Sequence, residues 1–383
     1  MRKIFIYFIV FLVIGFSLSV IISCSSTNNN PTPNLYIKLG FENASGLAAN
    51  RIHVVLNGYN RTSQEGYYDL SQNPAVFVIT NDMSVVPDTT LDTLIARGTT
   101  MIPYIVSGRV YLGLDQRVSG EAPDFTTPNS STGKIYDKFE LSVEETGNVI
   151  NLTQVDYFNF PLKITGSIEV RGFNDGITRK NIFDEYLAAM SNGWEKLVLT
   201  DNTGTIELRI LNPAKIAPAD AAYFSQLYSY WDSLINQYWA AGSTVTILTD
   251  DLPNRQITGT SDGTTFSFGA DGTYVLPTTL QMFGQAVQTG SSANVVKWLS
   301  GAINRGVIKN PNVTDEGNSA MFYEGSVAYN LGVYNKYAEF LHRTRYTING
   351  QAYALAFDDV FGYDSALTIP NGGTITVKLQ PFE

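Results

Sequence analysis

The hydrophobic and polar pattern of residues 35–172 predicts a β-rich region. Short apolar or alternating runs recur there, and clusters of Gly, Asn, Asp and Pro separate them. Such runs are typical of β-strands bounded by turns. They cover residues 35–39, 52–56, 76–79, 106–112, 138–143, 149–158 and 163–170. Many short strands at this spacing indicate a β-sandwich or a β-barrel.

The pattern changes to mixed α/β after residue 172. Apolar residues now recur at helical spacing over longer segments, and Pro218 lies where a helix would begin. The spacing predicts helices over 179–196, 217–241, 278–288, 294–304 and 329–345, a strand over 245–248 and a hairpin around 270–272. From residue 346 the chain returns to β pattern and ends in a predicted strand over 374–379.

The simplest organisation is one β domain with an insertion. Residues 35–172 and 346–383 would form the β domain, and residues 173–345 would form an inserted α/β domain. The fold class we expect is therefore mainly β with α/β, with an open groove between the two units.

The first residues predict an export signal that ends at a cysteine. Arg2 and Lys3 precede an uncharged run over 4–22, which is long enough to be a membrane span. The segment before Cys24 fits the bacterial lipobox, and Cys24 is the single cysteine of the chain. We therefore expect residues 1–23 to be a lipoprotein signal peptide, with lipidation at Cys24. An uncleaved membrane anchor is the alternative.

A lipidated Cys24 leaves the mature chain without disulfides or a thiolate metal site. Residues 24–34 are polar and contain prolines, which predicts a disordered tether. Ser25 is not the aspartate of an inner-membrane retention signal. We expect the protein in the bacterial cell envelope, held by its lipid to the outer membrane or the cell surface.

The charge balance excludes some partners. The chain has 35 acidic and 25 basic residues, and removal of Arg2 and Lys3 with the signal leaves 23 basic residues and a net charge of −12. So acidic a protein repels nucleic acid and anionic lipid surfaces. We expect no nucleic-acid partner.

The scarcity of histidine and cysteine narrows the chemistry. A Cys–His dyad is unavailable, neither a G-x-S-x-G motif nor a P-loop occurs, and His53 and His342 cannot build a zinc site alone. We expect no metal and no cofactor. Carboxylates and aromatic residues remain, which are the groups that glycosidases and carbohydrate-binding proteins use.

Two carboxylates lie on a predicted hairpin. If its turn centres on Gly147, Asp156 lies opposite Lys138 and diagonal to Glu140 on the same face, because sixteen residues separate the two carboxylates. Diagonal neighbours are about 7–8 Å apart, and inverting glycosidases need roughly 6.5–9.5 Å. From periodicity alone, two solvated strand residues remain an alternative.

Several further motifs follow in order along residues 35–383. They are SGRVY at 107–111, Phe139-Glu140, NLTQVDYF at 151–158, AINRG at 302–306, YNKYA at 334–338, Leu341-His342 and NGQAYALAFDDV at 349–360. Together they resemble the family 64 glycoside hydrolases, bacterial β-1,3-glucanases that release short laminari-oligosaccharides. The resemblance implies that Glu140 is the general acid and Asp156 the general base of an inverting hydrolysis.

The same segments also resemble thaumatin-like proteins, which implies a thaumatin-like β-barrel or sandwich with an acidic cleft. The chain departs from the plant-type pattern in lacking disulfide cysteines, in having Lys138 at the usual cleft arginine, and in having Asn151 for an acidic residue. The last two differences favour the glucanase branch. The first means that a hydrophobic core alone must stabilise the domain.

Candidate substrate contacts lie within the resembling segments. They are Tyr111, Asn151, Thr153, Gln154, Tyr157 and Asp358. For each aromatic residue, including Tyr334 and Tyr337, core packing is the alternative. Asp358 and Asp359 face opposite ways, so only one can point into a cleft. His342 is expected to be structural, and Arg305 is either a substrate contact or a helix C-terminal charge.

These observations predict a monomeric hydrolase of β-1,3-glucan. One carboxyl would protonate the leaving oxygen while the other activates water, and Asp358 would help to keep Glu140 protonated by charge repulsion. Two alternatives belong to other classes. A glucan-binding surface lipoprotein would keep the fold without the chemistry, and a protein-binding surface protein would show an exposed apolar patch.

Overall fold

The computed structural model describes residues 35–80, 82–118, 134–252, 255–309, 313–314 and 319–383. The predicted signal peptide, Cys24 and the tether lie outside these described residues. No helix within the described ranges has the length and hydropathy needed to cross a membrane.

Twenty-two strands occur in the described part of the chain. They are β1 (Tyr36–Asn43), β2 (Ile52–Tyr59), β3 (Glu65–Asp69), β4 (Val76–Val78), β5 (Thr89–Thr90), β6 (Thr99–Pro103), β7 (Ile105–Leu114), β8 (Tyr136–Glu144), β9 (Gly147–Asn151), β10 (Tyr157–Phe158), β11 (Leu162–Thr165), β12 (Val170–Gly172), β13 (Val198–Thr200), β14 (Glu207–Leu211), β15 (Thr244–Leu248), β16 (Gln256–Ser261), β17 (Thr265–Ser267), β18 (Thr273–Val275), β19 (Ile308–Lys309), β20 (Val313–Thr314), β21 (Leu367–Ile369) and β22 (Thr374–Leu379).

Seven α-helices accompany these strands in the same described ranges, together with short 3-10 turns. The helices are α1 (Leu91–Arg97), α2 (Arg179–Ala189), α3 (Ser225–Tyr228), α4 (Asp232–Tyr238), α5 (Thr279–Gly284), α6 (Ala293–Arg305) and α7 (Lys336–Leu341).

Two sheets pack face to face and form a β-sandwich. The larger has the order β21-β9-β8-β7-β2-β3-β4, with β5 paired to β2, and the smaller has the order β12-β11-β22-β1-β6. In the smaller sheet β1 runs parallel to β22, with Lys38 beside Thr374. Their apolar faces share one core. Its members include Ile37, Leu39, Ile375 and Val377 from the smaller sheet and Val110, Phe139, Leu141 and Ile150 from the larger.

A second core fills the α/β part of the molecule. It uses residues between 158 and 360, whereas the sandwich core uses residues up to 164 and from 367 onward. All four tryptophans, Trp194, Trp231, Trp239 and Trp298, belong to the second core. A six-stranded sheet, β18-β17-β16-β15-β20-β19, and a three-stranded sheet, β10-β14-β13, lie in this part. The fold class, mainly β with α/β, is confirmed, and the exact domain boundaries remain a prediction.

Four of the five predicted helices are too long, and only 294–304 matches its helix, α6. Residues 179–196 are α-helical only as far as Ala189, and residues 278–288 only as far as Gly284. Residues 217–241 form only the short helices α3 and α4, because the aromatic segment between them turns into the second core and Trp231 N donates to Thr279 Oγ1. Residues 329–345 contain only α7. Leu331 has a φ of 57° there, a left-handed conformation that interrupts a helix.

Candidate active site

A row of polar side chains crosses the larger sheet on the face opposite the sandwich core. Phe139 and Leu141 of β8 point into that core, so Lys138 and Glu140 point to the other face. Strand pairing places Glu140 between Arg109 of β7 and Asn151 of β9. Directly paired residues of antiparallel strands share a face, and the three side chains therefore lie together.

The hairpin prediction brought Glu140 and Asp156 together through the wrong register. Glu144 pairs with Gly147, so Glu145 and Thr146 form the turn and Glu140 lies opposite Asn151. Asp156 lies beyond the end of β9, just before β10. The even spacing of the two carboxylates is therefore not what places them side by side.

Asp137 holds the segment that contains Asp156 against β8. Its buried carboxylate accepts hydrogen bonds from the backbone N–H groups of Lys138 (2.7 Å), Asn159 (2.7 Å) and Phe160 (2.6 Å). Burial raises the pKa of Asp137 to about 7, against the opposing effect of these three donors. Asn159 adds a bond from its amide Nδ2 to Tyr136 O (2.9 Å). The chain after β9 is thus fixed beside β8.

Lys138 lies between the two candidate catalytic carboxylates. Its Nζ donates a hydrogen bond to Asp156 Oδ2 and lies 3.6 Å from Glu140 Oε1. With a hydrogen bond of about 3 Å on one side and this 3.6 Å contact on the other, the facing oxygens are at most about 7 Å apart. Two more cations complete the cluster. Arg109 Nε lies 3.5 Å from Glu140 Oε1, and Lys215 Nζ lies 2.7 Å from Asp156 Oδ1.

These charges fix the ionisation of the cluster. Burial alone would raise the pKa of Asp156, but the ammonium groups of Lys138 and Lys215 outweigh it and hold that pKa well below its usual range. Burial lowers the pKa of Lys138, yet Asp156 and Glu140 raise it above its usual range. Asp156 is therefore a carboxylate at neutral and mildly acidic pH, the state that a general base requires.

Tyr111 and Tyr157 lie beneath the carboxylates rather than in an open groove. Tyr111 pairs with Lys138 across β7 and β8. The two tyrosines are 2% and 1% exposed and belong to a small buried cluster with Tyr136. A ring covered by protein cannot stack on a sugar, so the prediction that these tyrosines contact substrate is wrong. They support the cluster from below.

The polar residues at and after the end of β9 divide into two groups. Gln154 is tied to the return segment by its main chain, whose N–H donates to Tyr353 O (2.8 Å), and by its side chain, whose Oε1 accepts from Tyr353 N (3.3 Å). Asn151 lies directly beside Glu140, and its Oδ1 has no hydrogen-bond partner among the described residues. Thr153 Oγ1 is in the same situation. Asn151 and Thr153 remain candidate contacts, whereas Gln154 has a structural role.

Asp358 is buried away from solvent, so its predicted substrate contact is wrong. Its carboxylate, 0% exposed, contacts Arg305 (3.2 Å) and His342 (3.1 Å) and accepts the backbone N–H groups of Ala354 and Leu355. Arg305 is equally buried and is not a substrate contact either. Because these partners neutralise Asp358, it cannot keep Glu140 protonated by repulsion. His342 is structural, as predicted.

Sequence reasoning missed Arg109, Asp137 and Lys215. Arg109 lies in the SGRVY motif, and the pairing of β7 with β8 was the signal that could have revealed it. Asp137 is adjacent to Lys138, but its role depends on the fold of residues 159–160. Lys215 comes from the α/β part and has no local signal. The described residues contain no group of three His, Cys, Asp or Glu side chains placed to hold a metal.

Comparison with known proteins gives a family match over nearly the whole described chain. The model of a glycoside hydrolase family described as β-1,3-glucanase, family 64, matches residues 36–378. A glucan endo-1,3-β-glucosidase of Cellulosimicrobium cellulans is 27% identical over 299 residues, and one of Arthrobacter sp. (strain YCWD3) is 28% identical over 299 residues. Each alignment covers 72% of this chain and 53% of the relative. The chain thus spans about half the length of these curated relatives.

Solved structures share the fold. A β-1,3-glucanase domain from Clostridium beijerinckii has a TM-score of 0.69 at 20% identity, covering 91% of this chain and 100% of that one. A laminaripentaose-producing β-1,3-glucanase in complex with laminaritetraose has a TM-score of 0.69 at 22% identity, covering 91% and 99%.

Proposed function

The chain belongs to the β-1,3-glucanases of glycoside hydrolase family 64, and from this membership we propose that it hydrolyses β-1,3-glucan. The observation that carries the proposal is the contact of Glu140 and Asp156 with one buried ammonium group, that of Lys138, on the polar face of the larger sheet. Both carboxylates of a two-carboxylate hydrolysis are then within reach of one glycosidic bond.

Glu140 is the general acid and Asp156 the general base in this proposal. Asp156 suits the second role because the two lysines keep it ionised. Glu140 would protonate the leaving oxygen, and Asp156 would take a proton from the attacking water on the other face of the sugar. Arg109 and Lys138 orient Glu140 from two sides, and Asn151 offers an amide to a sugar hydroxyl.

The products we propose are short laminari-oligosaccharides released with inversion. A neutral glucan is indifferent to the acidity of the protein, so the charge of the chain does not oppose binding. We further propose that the protein acts as a monomer in the bacterial cell envelope, held to the membrane by a lipid on Cys24.

The lysine contacts also support the alternative function, that of a glucan-binding protein without catalytic activity. Both oxygens of Asp156 contact ammonium groups, and a base held in this way is weak. Laminarin hydrolysis and laminarin binding must therefore be measured separately, for instance by reducing-end release and by affinity electrophoresis. Wild-type protein that binds laminarin and never cuts it would establish this alternative.

Two isosteric variants test the catalytic pair. Glu140→Gln cannot give up a proton and Asp156→Asn cannot take one, so each should lower kcat by about 10²–10⁴-fold while laminarin binding changes little. A β-laminaribioside with a good leaving group should partly rescue Glu140→Gln but not Asp156→Asn. Glu144→Gln is the matched control, because Glu144 is on the same strand and about 13 Å along it.

Product stereochemistry tests the mechanism. Proton NMR of the first product from laminarin oligosaccharides should show the α-anomer, since water attacks opposite the leaving group. Formation of the β-anomer would mean that one carboxylate acts as a nucleophile, and it would overturn the roles given to Glu140 and Asp156.

A further inference from the structure

A short turn from the α/β part reaches the catalytic cluster. Tyr157 of β10 pairs with Leu211 of β14, and the next residue, Asn212, donates its backbone N–H to Asp156 O (3.0 Å). The buried side chain of Asn212 donates to Ala354 O (2.8 Å) and accepts from Ala214 N (2.9 Å). The 3-10 turn Pro213–Lys215 is therefore fixed beside Asp156 through Asn212.

Lys215, at the end of this turn, differs from Lys138 in its exposure. The side chain of Lys215 is 39% exposed and that of Lys138 is 4% exposed, yet each contacts one oxygen of Asp156. Lys138 also contacts Glu140, so it divides one positive charge between two carboxylates. The other ionisable groups that interact electrostatically with Asp156 or Lys138 are Arg109, Asp137, Tyr111, Glu140, Tyr157 and Tyr337.

Burial opposes the charged form of Asp156, and a shared cation compensates only in part. A buried carboxylate remains ionised when nearby opposite charges outweigh the loss of hydration. Lys215 contacts Asp156 and no other carboxylate in the described ion pairs. Its positive charge therefore stabilises the Asp156 carboxylate without being shared with a second one. The α/β part thus supplies a second cation to Asp156, at Oδ1, while Lys138 of the β-sandwich contacts Oδ2.

We propose that Lys215 is a positioning residue that keeps Asp156 in its carboxylate form and thereby sets the lower pH limit of glucan hydrolysis. The inference rests on the proposed role of Asp156 as general base. A lysine that served only to join the two parts of the protein would change the rate equally at every pH.

The pH dependence of kcat/KM for laminarin distinguishes these roles. Between pH 3.5 and 7, protonation of Asp156 should cause no fall in the kcat/KM of the wild type. Lys215→Met removes the charge and keeps the chain length, so Lys138 alone opposes the effect of burial and the kcat/KM of the variant should begin to fall within this range, at a higher pH than that of the wild type. Lys215→Arg should retain the wild-type profile. Lys180→Met, which removes an exposed lysine paired with Asp184, is the matched control.

Carbon NMR of the Asp156 carboxyl gives a readout that needs no activity. The resonance, assigned by its absence in Asp156→Asn, should begin to titrate above pH 3.5 in Lys215→Met and stay unchanged down to pH 3.5 in the wild type. An Asp156 resonance that titrates identically in both proteins would overturn the proposal, as would pH profiles that coincide after scaling. If the wild type cuts no laminarin, the proposed function fails while the NMR titration still decides the role of Lys215.

Discussion

Replacing Asp358 should destabilise the fold without weakening glucan binding. Its carboxylate is wholly buried and contacts Arg305 and His342 as well as two backbone N–H groups. Removing one partner of a buried ion pair costs about 3–5 kcal/mol, and each buried donor that loses its acceptor adds about 1–3 kcal/mol. The free energy of unfolding of Asp358→Ala should therefore fall by about 5 kcal/mol or more.

A loss of this size is close to the whole stability of many domains, about 5–15 kcal/mol. Asp358→Asn is the more informative variant, because it keeps one acceptor oxygen while it loses the charge and replaces the other oxygen by an NH2 donor. Its expected cost is about 3–5 kcal/mol, that of removing one partner of a buried ion pair. Asp184→Asn, which breaks an exposed pair with Lys180, should cost no more than about 0.5 kcal/mol and serves as the control.

The same group should make stability depend on pH. Burial raises the pKa of Asp358, but His342 and Arg305 outweigh it, so its pKa in the folded protein lies below the usual value. A depressed pKa contributes stability above the unfolded aspartate's pKa of about 4, and this contribution is lost as the pH falls below it. The difference in unfolding free energy between wild type and Asp358→Asn should therefore shrink below pH 4.

Urea unfolding followed by tryptophan fluorescence measures these changes, because all four tryptophans lie in the second core. The KM for laminarin, measured on the same variants, tests whether Asp358 contacts substrate. Unchanged stability of Asp358→Asn, combined with a KM raised more than about tenfold, would refute the reasoning, since it would mean that the carboxylate faces substrate. The folded fraction of the variant should instead keep the wild-type KM.

Two further predictions concern the anchor and the catalytic cluster. Cys24→Ala should block lipidation and move the protein from the membrane fraction to the soluble fraction; a variant that stays uncleaved and membrane-bound would mean that residues 4–22 are a true span. Arg109→Met removes the cation beside Glu140 Oε1 and should lower kcat/KM by about 10²-fold through misorientation with little change in thermal stability; an unchanged kcat/KM would show that Lys138 alone orients Glu140.

The strands were predictable because alternation of apolar residues directly reports which side of a sheet is buried. The sequence also suggested Glu140 and Asp156 as the catalytic pair, through resemblance rather than through their spacing; the structure places both beside Lys138, and their roles stay a prediction. The predicted register failed because the two-residue turn ends before Gly147 rather than centring on it, and a shift of this kind cannot be read from a single glycine.

The rest of the site depends on contacts between distant segments. Lys215 reaches Asp156 only because β10 pairs with β14, and no local pattern encodes that pairing. The burial of Tyr111 and Tyr157 likewise depends on what covers the polar face of the sheet. Helical spacing at 217–241 and 329–345 failed for a related reason, since packing of aromatic residues and a left-handed turn override local propensity.

The place of β1 between β22 and β6 determines when the smaller sheet can be completed. Lys38 of β1 pairs with Thr374 of β22, so the smaller sheet is complete only after nearly the whole described chain has been synthesised. Until then β1 has β6 as its partner on one side and an open edge on the other, where a strand of another molecule can pair. Contacts between such distant residues form slowly, so this edge stays open to mispairing while the rest of the chain is synthesised.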